Sequence, residues 1–443
     1  MKILMIVTYF PPDTAVAAVR PFMFAKYLAS KGHEITVLRS GEILASIDGT
    51  YDFEKYGIRV ISYLGEDSAA ERYRHGLTEE STVLARKSRI SFIPVKLRKH
   101  IAKLYHKLMK PLEYSREMQQ TNMYFERQKK TIDSIKDEKF DIVWSTYGRL
   151  ENILAGRYAK ETFRCPWILD LRDWIATEQN SFVRTKQRRF EKEYVNAADA
   201  CVVVMGSYCE ELKQLYPDAN VVTIHNGYDN YEKLELDSTD GKLHFCYTGS
   251  LYTGKLDVSP LFKALARLVK EGRIDKNRIV FTYAGTEFEY LLNQAKKYGM
   301  ESILENMGYM NRKRVNELQQ SSDIFVVAAR STKFCNGELT GKFYEGIRAK
   351  KPILTVISGD VANCELKQMQ DRYNYGYCFE QANGRSAEIA FDSYLLQIYQ
   401  EKMNAEAIEY HPDESLFTDF RYDTLTDKLL ELMSSVIHSE FSS

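Results

Sequence analysis

KILMIVTYFPPDTAVAAVRP, residues 2–21, begins as an unbroken apolar run and then passes two prolines into an amphipathic pattern. The pattern predicts a helix that buries Phe22 and Leu28, and HEITVLRS at 33–40 is predicted to be the next strand. An unbroken apolar strand is typical of a parallel sheet that is covered on both faces. The start of the chain therefore predicts a βαβ unit of a doubly wound α/β domain.

Three later apolar runs each end in polar residues, which is the pattern of further strands in the same sheet. They are FDIVWSTYG (140–148), PWILDLRDW (166–174) and DACVVVMGS (199–207). Open α/β sheets bind ligands at the carboxyl ends of their strands. The polar residues that close these runs are therefore candidate site residues.

The second half of the chain repeats the alternation of strand and helix. It follows a stretch at 224–242 that is dense in Asn, Gly and Asp and is predicted to be a hinge or linker. The predicted fold class is α/β, with two Rossmann-like doubly wound domains that face a central cleft. The predicted boundaries are 1–225, 226–418 and, for a C-terminal helix that packs back on the first domain, 419–443.

The composition limits the classes of protein to consider. A length of 443 residues allows two or three domains of roughly 150 residues each. Lys plus Arg and Asp plus Glu both total 61, so the net charge gives no indication of nucleic-acid binding. Seven cysteines without a C-x-x-C pair indicate a reduced, cytosolic chain. The first apolar run is closed by Pro11, Pro12 and Asp13, which favours a strand over a signal peptide.

A basic segment at 81–112 stands out within the first domain, because it holds nine Lys or Arg and no acidic residue. Its apolar residues Leu97, Ile101, Leu104 and Leu108 are spaced for one face of a helix. One interpretation is an amphipathic helix that lies on an anionic membrane surface. The other is an ordinary surface helix that docks its apolar face on the domain, and the sequence leaves both open.

The stretch GELTGKFYEGIRAKKPIL (337–354) places glycine and polar residues at the start of a predicted helix. Helix N-termini offer free N–H groups to phosphate. Thr340 and Gly341 would let the backbone approach an anion closely, and Lys342 would add a positive charge. Glu345, one turn further on, can accept hydrogen bonds from the hydroxyls of a ribose. The alternative is a surface helix on which Lys342 and Glu345 form an i,i+3 ion pair.

A second stretch, YTGSLYTGK (247–255), has the same character, since a strand ends at Gly249 and Lys255 precedes a helix. Neither glycine pattern is a dinucleotide fingerprint or a P-loop. Their order and content together resemble the GT-B glycosyltransferases, specifically the large retaining family 4 that uses nucleotide-sugar donors. The resemblance covers nearly the whole chain.

Other stretches carry the same resemblance. YFPPDTAVAAVRP (9–21) is similar to the family's loop after the first strand, and IHNGYD (224–229) is similar to its interdomain N-G-x-D. WILDLRDW (167–174) resembles the strand that many polysaccharide-assembly members write as D-x-R-D-P-W. MGYM (307–310) resembles the loop that holds the nucleobase through backbone groups.

The resemblance implies a role for each candidate residue. For donor binding it implies Gly249, Ser250, Lys255, Tyr309, Glu338, Thr340, Gly341, Lys342 and Glu345. For catalysis it implies Asp170, Arg172, Asp173, Lys255 and Lys342, of which the lysines stabilise the departing diphosphate and the others orient the acceptor. The loop for the acceptor or a phosphate would contain Asp13, Thr14 and Ala15. The strand-end residues have an alternative role, a salt bridge that organises the hinge.

Three departures from the family pattern leave other functions open. The first loop has Ala15, Val16, Ala17 and Ala18 where the family usually has a Gly pair. Glu338 and Glu345 are separated by six residues instead of seven, and Arg172 and Asp173 end a strand that often ends in His. A catalytically silent GT-B subunit, which binds nucleotide sugar or a partner enzyme, is one alternative. A nucleotide-sugar 2-epimerase is another, although the eight His cluster in no evident site.

The implied function is a metal-independent hexosyl or glycosyltransferase of surface polysaccharide or glycan assembly. The nucleotide-sugar donor would be a UDP-sugar rather than a GDP-sugar. The acceptor would be a saccharide or a polyprenyl-linked saccharide. No cofactor is expected. The first domain would bind the acceptor and the second the donor. The expected location is the cytoplasm, with the anionic inner face of the cell membrane as a partner surface if the basic segment binds lipid. Nucleic acid is not an expected partner.

Overall fold

The computed structural model describes residues 1–13, 16–40, 52–63, 95–178, 180–229, 240–333, 335–337, 339–405 and 407–440, with the backbone alone at 95–108, 335 and 440. These residues fold as two units. The first runs from Met1 to His225 and includes the chain from Leu425 onward, and the second runs from Asn226 to Thr424.

A parallel sheet forms the centre of the first unit. Its strands are β1 (Lys2–Ile6), β2 (Glu34–Arg39), β3 (Arg59–Ser62), β4 (Ile142–Tyr147), β5 (Trp167–Leu171), β6 (Ala200–Val203) and β7 (Val221–Thr223). Their order is β3-β2-β1-β4-β5-β6-β7, and every pairing among these strands is parallel. The order reverses between β1 and β4, so their carboxyl ends lie at the switch point where open α/β sheets bind ligands.

Strand β1 is buried on both faces, as its unbroken apolar run predicts. Residues 3–6 are completely buried. Phe24 packs edge-on against Trp144 of the neighbouring strand, with ring centroids 6.0 Å apart. Leu4 joins Trp167 in the apolar core of the unit. Each fully buried side chain of this kind stabilises the fold by about 1.5–3 kcal/mol relative to the exposed state.

The helices of the first unit are α1 (Val16–Ser30), α2 (Val95–Ser134), α3 (Leu150–Phe163), α4 (Ser181–Ala197) and α5 (Gly206–Leu215), with a 3-10 turn at Glu54–Tyr56. The part of the basic segment from Val95 onward has a helical backbone. Residues 81–94 and the side chains of 95–108 lie outside the described residues. Among the helices that the structure describes, none is long and apolar enough to cross a bilayer.

The second unit contains a second parallel sheet. Its strands are β8 (Leu243–Thr248), β9 (Ile279–Ala284), β10 (Leu304–Gly308), β11 (Ile324–Thr332), β12 (Cys335–Asn336), β13 (Ile353–Gly359) and β14 (Gly376–Glu380). The parallel order is β10-β9-β8-β11-β13-β14, and the short β12 pairs antiparallel with β11. This order also reverses, between β8 and β11, so the second unit has its own switch point.

The helices of the second unit are α6 (Ser259–Lys270), α7 (Phe288–Lys296), α8 (Arg312–Ser321), α9 (Gly341–Ala349), α10 (Glu365–Tyr373), α11 (Gly384–Ala405) and α12 (Leu416–Asp419). Short 3-10 turns lie at Lys276–Arg278, Glu301–Ile303 and Gln381–Asn383. Strand and helix alternate along the chain, so the two Rossmann-like, doubly wound α/β folds that the sequence predicts are confirmed.

The last helix, α13 (Tyr422–Glu440), begins in the second unit and continues into the first. Leu425, Leu429 and Met433 are completely buried at a spacing of four residues, so one face of this helix is packed. Asp427 accepts a salt bridge of 2.7 Å from Lys31, which follows α1. The C-terminal segment therefore contributes to the first unit.

Candidate active site

Lys342 lies in the first turn of α9, close to the carboxyl end of β8. Its side chain is half-buried, and Nζ lies 5.7 Å from the ring centroids of both Tyr247 and Tyr252. The end of the side chain packs on Gly249, where an added Cβ would lie 3.1 Å from Cε and 3.3 Å from Nζ. A Cβ at position 249 would be tight against the end of the Lys342 side chain, so glycine leaves the ammonium group more room there.

The charge of Lys342 is not neutralised by an ion pair with any residue that the structure describes. Burial lowers the pKa of Lys342, and the carboxylates of Glu345 and Glu287 raise it in part, so that the net pKa lies below the ordinary lysine value. The Thr340 hydroxyl at the N-cap of α9 is buried and has no hydrogen-bond partner among the residues that the structure describes. An ammonium group beside a helix N-terminus is suited to bind an anion such as phosphate.

Glu345 is held by neighbours other than Lys342. Its Oε2 accepts a hydrogen bond of 2.8 Å from Gln319 Nε2. The same amide nitrogen donates to Thr248 Oγ1 at 3.0 Å, and Arg348 donates to Gln319 Oε1 at 3.0 Å. The ion pair between Lys342 and Glu345 that a simple surface helix would have is therefore not formed in the described structure. The other carboxylate oxygen of Glu345, Oε1, makes no described hydrogen bond.

The loop after β8 has an uncommon backbone, because Tyr252, Thr253 and Gly254 all have positive φ, of 51°, 56° and 79°. Non-glycine residues adopt this left-handed region at an energetic cost, so the surrounding contacts must hold them there. Glu287 supplies those contacts. Its carboxylate accepts 2.6 Å hydrogen bonds from the amides of Leu251 and Thr253 and a short one from the Ser250 hydroxyl.

Glu287 was not among the residues that the sequence predicts. Burial raises the pKa of its carboxyl group, but the hydrogen bonds from Ser250, Thr253 and Leu251 outweigh it, and the net pKa is below the usual value. The predicted donor residue Ser250 therefore bonds to Glu287. The sequence signal was weak, because a glutamate just before a helix that follows a strand has many ordinary explanations.

The other predicted donor residues differ in exposure. Lys255 is exposed at the end of this loop, and its amide donates to the Tyr252 carbonyl at 3.1 Å. Gly341 is exposed at the start of α9. Tyr309 follows β10 and is 83% exposed, so its ring is accessible to a ligand. Glu338 lies outside the described residues.

Asp170, in the first unit, is completely buried in an ion pair with Arg20. Arg20 NH2 donates to Asp170 Oδ1 at 2.7 Å, and Thr146 Oγ1 donates to Oδ2 at 2.8 Å. Arg20 also donates to the carbonyls of His225 and Ile224 at 2.7 and 3.0 Å. These contacts make Asp170 a residue that positions α1 and the end of the first unit, which fits the strand-end salt bridge considered from the sequence.

Arg172 and Asp173 differ in what they contact. Arg172 NH1 donates to the Ala17 carbonyl at 2.7 Å, and its Nε donates to the Tyr147 carbonyl at 3.3 Å. Asp173 is exposed. Burial, together with the charge of Asp173, raises the pKa of Tyr147 to about 12. Of the three strand-end residues, Asp173 is the one whose carboxylate faces solvent and is accessible to an acceptor.

The predicted loop of Asp13, Thr14 and Ala15 is only partly described. Asp13 is completely buried, and its amide donates to the Phe10 carbonyl at 3.3 Å. Thr14 and Ala15 lie outside the described residues. Within the described part of the chain, no group of three or more His, Cys, Asp or Glu is arranged to hold a metal ion.

Two family models match the chain, one to each half. "Glycosyl transferase 4-like domain" matches residues 17–227, and "Glycosyl transferases group 1" matches 232–410. The chain belongs to the GT-B, family 4-like glycosyltransferases. No curated protein matches the sequence significantly.

Solved GT-B structures agree with this assignment at the level of fold. HepE from Anabaena, in complex with UDP, has a TM-score of 0.57 at 13% identity and covers 98% of this chain and 100% of its own. Sucrose-phosphate synthase from Thermosynechococcus elongatus has a TM-score of 0.58 at 10% identity, with 99% of both chains covered. The lipopolysaccharide outer core galactosyltransferase WaaB has a TM-score of 0.55 at 11% identity, covering 99% of this chain and 100% of its own.

Proposed function

We propose that this glycosyltransferase moves a hexosyl or related sugar from a UDP-sugar to a saccharide acceptor, with retention of configuration, in surface polysaccharide or glycan assembly. The observation that carries the proposal is the Lys342 ammonium group, which is half-buried between two tyrosine rings beside the N-terminus of α9. UDP is favoured over GDP because the similar structure HepE was solved with UDP and with UDP-glucose.

The mechanism follows from the charge that develops on the leaving diphosphate. As the glycosidic bond breaks, negative charge grows on the β-phosphate oxygens. Lys342 and the first-turn amides of α9 stabilise that charge more in the transition state than in the ground state. Lys255 supplies a second positive charge from the loop that Glu287 holds. The proposal gives this role to lysines and helix amides, so it includes independence from a metal ion and from any cofactor.

The remaining residues bind and orient the two substrates. Glu345 binds the ribose hydroxyls through the oxygen that Gln319 leaves open, and the loop with Tyr309 holds the uracil. In the proposed front-face attack, the acceptor hydroxyl gives its proton to a donor phosphate oxygen. Asp173 orients that hydroxyl, and Arg172 and Asp170 act indirectly by positioning the start of α1. Asp13, Thr14 and Ala15 remain proposed members of the acceptor or phosphate loop.

The proposal includes a lipid-linked acceptor, a polyprenyl saccharide, at the inner face of the cell membrane. It rests on the nine Lys and Arg between 81 and 112, of which the later part belongs to α2. The cytoplasmic leaflet carries anionic lipids that attract such a segment. A cytoplasmic enzyme that visits this surface would meet both donor and acceptor.

Release of nucleotide from purified donors tests the proposed function. UDP-sugars and GDP-sugars are incubated with the protein, with and without an extract of saccharide acceptors, and free nucleotide is measured. We expect UDP release that depends on the extract, together with sugar incorporation into an acceptor. Conversion of a UDP-sugar to its 2-epimer would identify an epimerase instead. Tight UDP binding without turnover of any donor would identify a catalytically silent subunit.

A further inference from the structure

Two tyrosines on neighbouring strands of the second unit lie next to the loop after β8. Tyr247 near the end of β8 is opposite Tyr283 near the end of β9 in the parallel sheet. Their rings are stacked, with centroids 6.1 Å apart and planes at 14°. Both side chains are completely buried. A buried tyrosine hydroxyl needs a hydrogen-bond partner, so the partners show what each tyrosine holds.

The Tyr283 hydroxyl joins the end of β8 to the start of α7. It donates a hydrogen bond of 3.0 Å to the Gly249 carbonyl and accepts one of 3.0 Å from the backbone amide of Glu287. A hydroxyl has a single proton to donate, so the contact with Gly249 uses it. Burial raises the pKa of Tyr283 and outweighs the hydrogen bond from the Glu287 amide, which lowers it. The hydroxyl therefore keeps its proton at neutral pH and remains a donor.

Strand β9 holds the Gly249 peptide groups on both sides. The Gly249 amide donates to the Ala284 carbonyl at 2.7 Å, and the Gly249 carbonyl accepts from Tyr283. Gly285, which follows the strand, leaves space for this contact. A Cβ at position 285 would lie 2.5 Å from the Tyr283 hydroxyl oxygen and 2.6 Å from the Gly249 carbonyl oxygen. The backbone of Gly249 is thus fixed by residues that are more than 30 positions away.

Tyr247 holds the next peptide group of the same loop, because its hydroxyl donates to the Ser250 carbonyl at 2.9 Å. Two consecutive carbonyls are therefore each bound by a tyrosine hydroxyl. The end of the Lys342 side chain packs on Gly249, which has a positive φ of 96°. A rotation of the peptide between Gly249 and Ser250 would change the surface on which Lys342 packs.

We propose that Tyr283 is a positioning residue of the donor site, an inference that rests on the proposed function. Its hydroxyl fixes Gly249, and Gly249 in turn sets the place of the Lys342 ammonium group. Tyr283 is completely buried, so it acts through these two residues and not by contact with the nucleotide. A group that is held in place before binding stabilises a ligand more than one that must be ordered by it. Loss of the hydroxyl should therefore weaken the binding of a diphosphate.

Calorimetric titration with UDP tests this role in Tyr283→Phe, which removes one oxygen and keeps the ring. We expect about tenfold weaker UDP binding, the effect of one lost hydrogen bond. Tyr375→Phe is the matched control, because Tyr375 is also completely buried in the second unit and donates to the Leu366 carbonyl at 2.8 Å. If both hydroxyls were merely structural, both variants would lose stability in urea titrations and keep wild-type UDP affinity. Wild-type affinity in Tyr283→Phe would overturn the proposal.

A double-mutant cycle tests the route through the lysine. In the background of Lys342→Ala, Tyr283→Phe should cause no further loss of UDP affinity, because the group that it positions is absent. The same tenfold loss in both backgrounds would show that Tyr283 does not act through Lys342 and would overturn the proposal.

Amine labelling separates this inference from the proposed function, since it needs neither nucleotide nor turnover. The rate at which acetic anhydride labels Lys342 is followed against pH by peptide mass spectrometry. In Tyr283→Phe, the midpoint of this profile should move up from the wild-type value toward the ordinary lysine pKa of about 10.4, because the ammonium group gains access to water. Tyr375→Phe should keep the wild-type midpoint. An unchanged midpoint in Tyr283→Phe would overturn the proposal. A shifted midpoint in a protein that neither binds UDP nor transfers sugar would retain the role of Tyr283 in positioning Lys342 and refute the proposed function.

Discussion

At the scale of single residues, the proposed donor site centres on the ammonium group of Lys342. It is half-buried, packs on Gly249 and forms no ion pair within the described structure. A buried cation that lacks a carboxylate partner is costly unless a ligand supplies the opposite charge. The diphosphate of a nucleotide sugar would supply it, so binding is expected to be strongest when Lys342 is protonated.

The pH dependence of UDP affinity follows from this group. Burial lowers the pKa of Lys342, so the ammonium form is lost at a lower pH than for an ordinary lysine. UDP affinity should therefore fall as pH rises, with a midpoint below the ordinary lysine pKa of about 10.4. Because UDP favours the charged form, its binding should also take up protons. Calorimetric titration in buffers of different ionisation enthalpy measures both effects.

Lys342→Arg provides the control for the pH series, since arginine keeps its charge across this range. The UDP affinity of the Lys342→Arg variant should not vary with pH in the alkaline range where wild-type affinity falls. A wild-type affinity that is constant up to the ordinary lysine pKa would show that Lys342 does not contact the nucleotide.

Gly249→Ala is expected to damage the donor site beyond its effect on stability. Gly249 has φ of 96°, and an added Cβ would lie 3.1 Å from Lys342 Cε, so the lysine must move. Gly299 has φ of 65° with nothing within 4 Å of an added Cβ, so Gly299→Ala is the matched control. Both should lose about 1–2 kcal/mol of unfolding free energy. Only Gly249→Ala should raise the donor KM. Steady-state kinetics measure the donor KM of both variants, and urea titrations measure their unfolding free energies.

At the scale of elements, the loop after β8 depends on Glu287. The loop carries Lys255, and two of its residues, Tyr252 and Thr253, are left-handed. The Thr253 amide donates to the Glu287 carboxylate at 2.6 Å, and the Tyr252 amide donates to Ser250 Oγ at 2.9 Å. A residue at the start of α7 thus fixes the loop that follows the neighbouring strand, β8. Without the carboxylate, the loop has no described acceptor for the amides of Leu251 and Thr253, and Lys255 should lose its fixed position.

Glu287→Gln should lower stability in a way that depends on pH. The folded-state pKa of Glu287 is below its usual value, so its stabilising effect is present above the unfolded-state pKa and is lost as pH falls through the folded value. The difference in unfolding free energy between wild type and Glu287→Gln should be largest near neutral pH and shrink in acid. Glu289→Gln, an exposed position in the first turn of the same helix, should show no such difference. A wild-type-like variant at neutral pH would contradict the role of Glu287.

The basic part of α2 is expected to bind anionic vesicles. Each lysine near such a surface contributes on the order of 1 kcal/mol, so several should give binding that weakens with salt. Co-sedimentation with neutral and anionic vesicles tests it, using a variant in which Lys99, Lys103 and Lys107 become Gln. The control variant loses the same number of positive charges outside α2, with Gln in place of Lys296, Lys297 and Lys313. Equal sedimentation with both lipids, or no loss in the first variant, would refute the membrane surface.

Strands and helices could be predicted because their signal is local. The unbroken run at 3–6 becomes a strand buried on both faces, and the spacing after it becomes α1. Lys342 and Gly341 could be placed together at one helix start because they are adjacent in the chain. Glu345 could be placed in the same way, one turn along α9. The packing of Lys342 on the distant Gly249 could not be predicted in this way, and their role in donor binding stays a prediction.

Contacts between distant elements could not be predicted. Arg20 and Asp170 are 150 positions apart, and nothing local shows that a strand-end aspartate will be buried against α1. Glu287 accepts from Ser250, 37 positions earlier, and Gln319 reaches Glu345 from another helix. Such pairs depend on the order of strands in the sheet, which the alternation of strands and helices does not specify.

At the scale of the whole molecule, the proposed function assigns the donor to the second unit and the acceptor to the first. The second contains Lys342, the centre of the proposed donor site, and the first contains Asp173, the residue proposed to orient the acceptor. Loss of Asp173 should therefore leave UDP binding intact, whereas loss of Lys342 should lower UDP affinity and turnover and leave acceptor affinity unchanged.

Sugar transfer by the intact chain tests the central claim most directly. Turnover from a labelled UDP-sugar to acceptor extract is measured for wild type, Lys342→Ala and the exposed control Lys296→Ala. We expect equal turnover in wild type and Lys296→Ala, and about 100-fold lower turnover in Lys342→Ala, the effect of removing a preorganised group that stabilises developing charge. Absence of labelled product in the wild type, or full turnover in Lys342→Ala, would contradict the account.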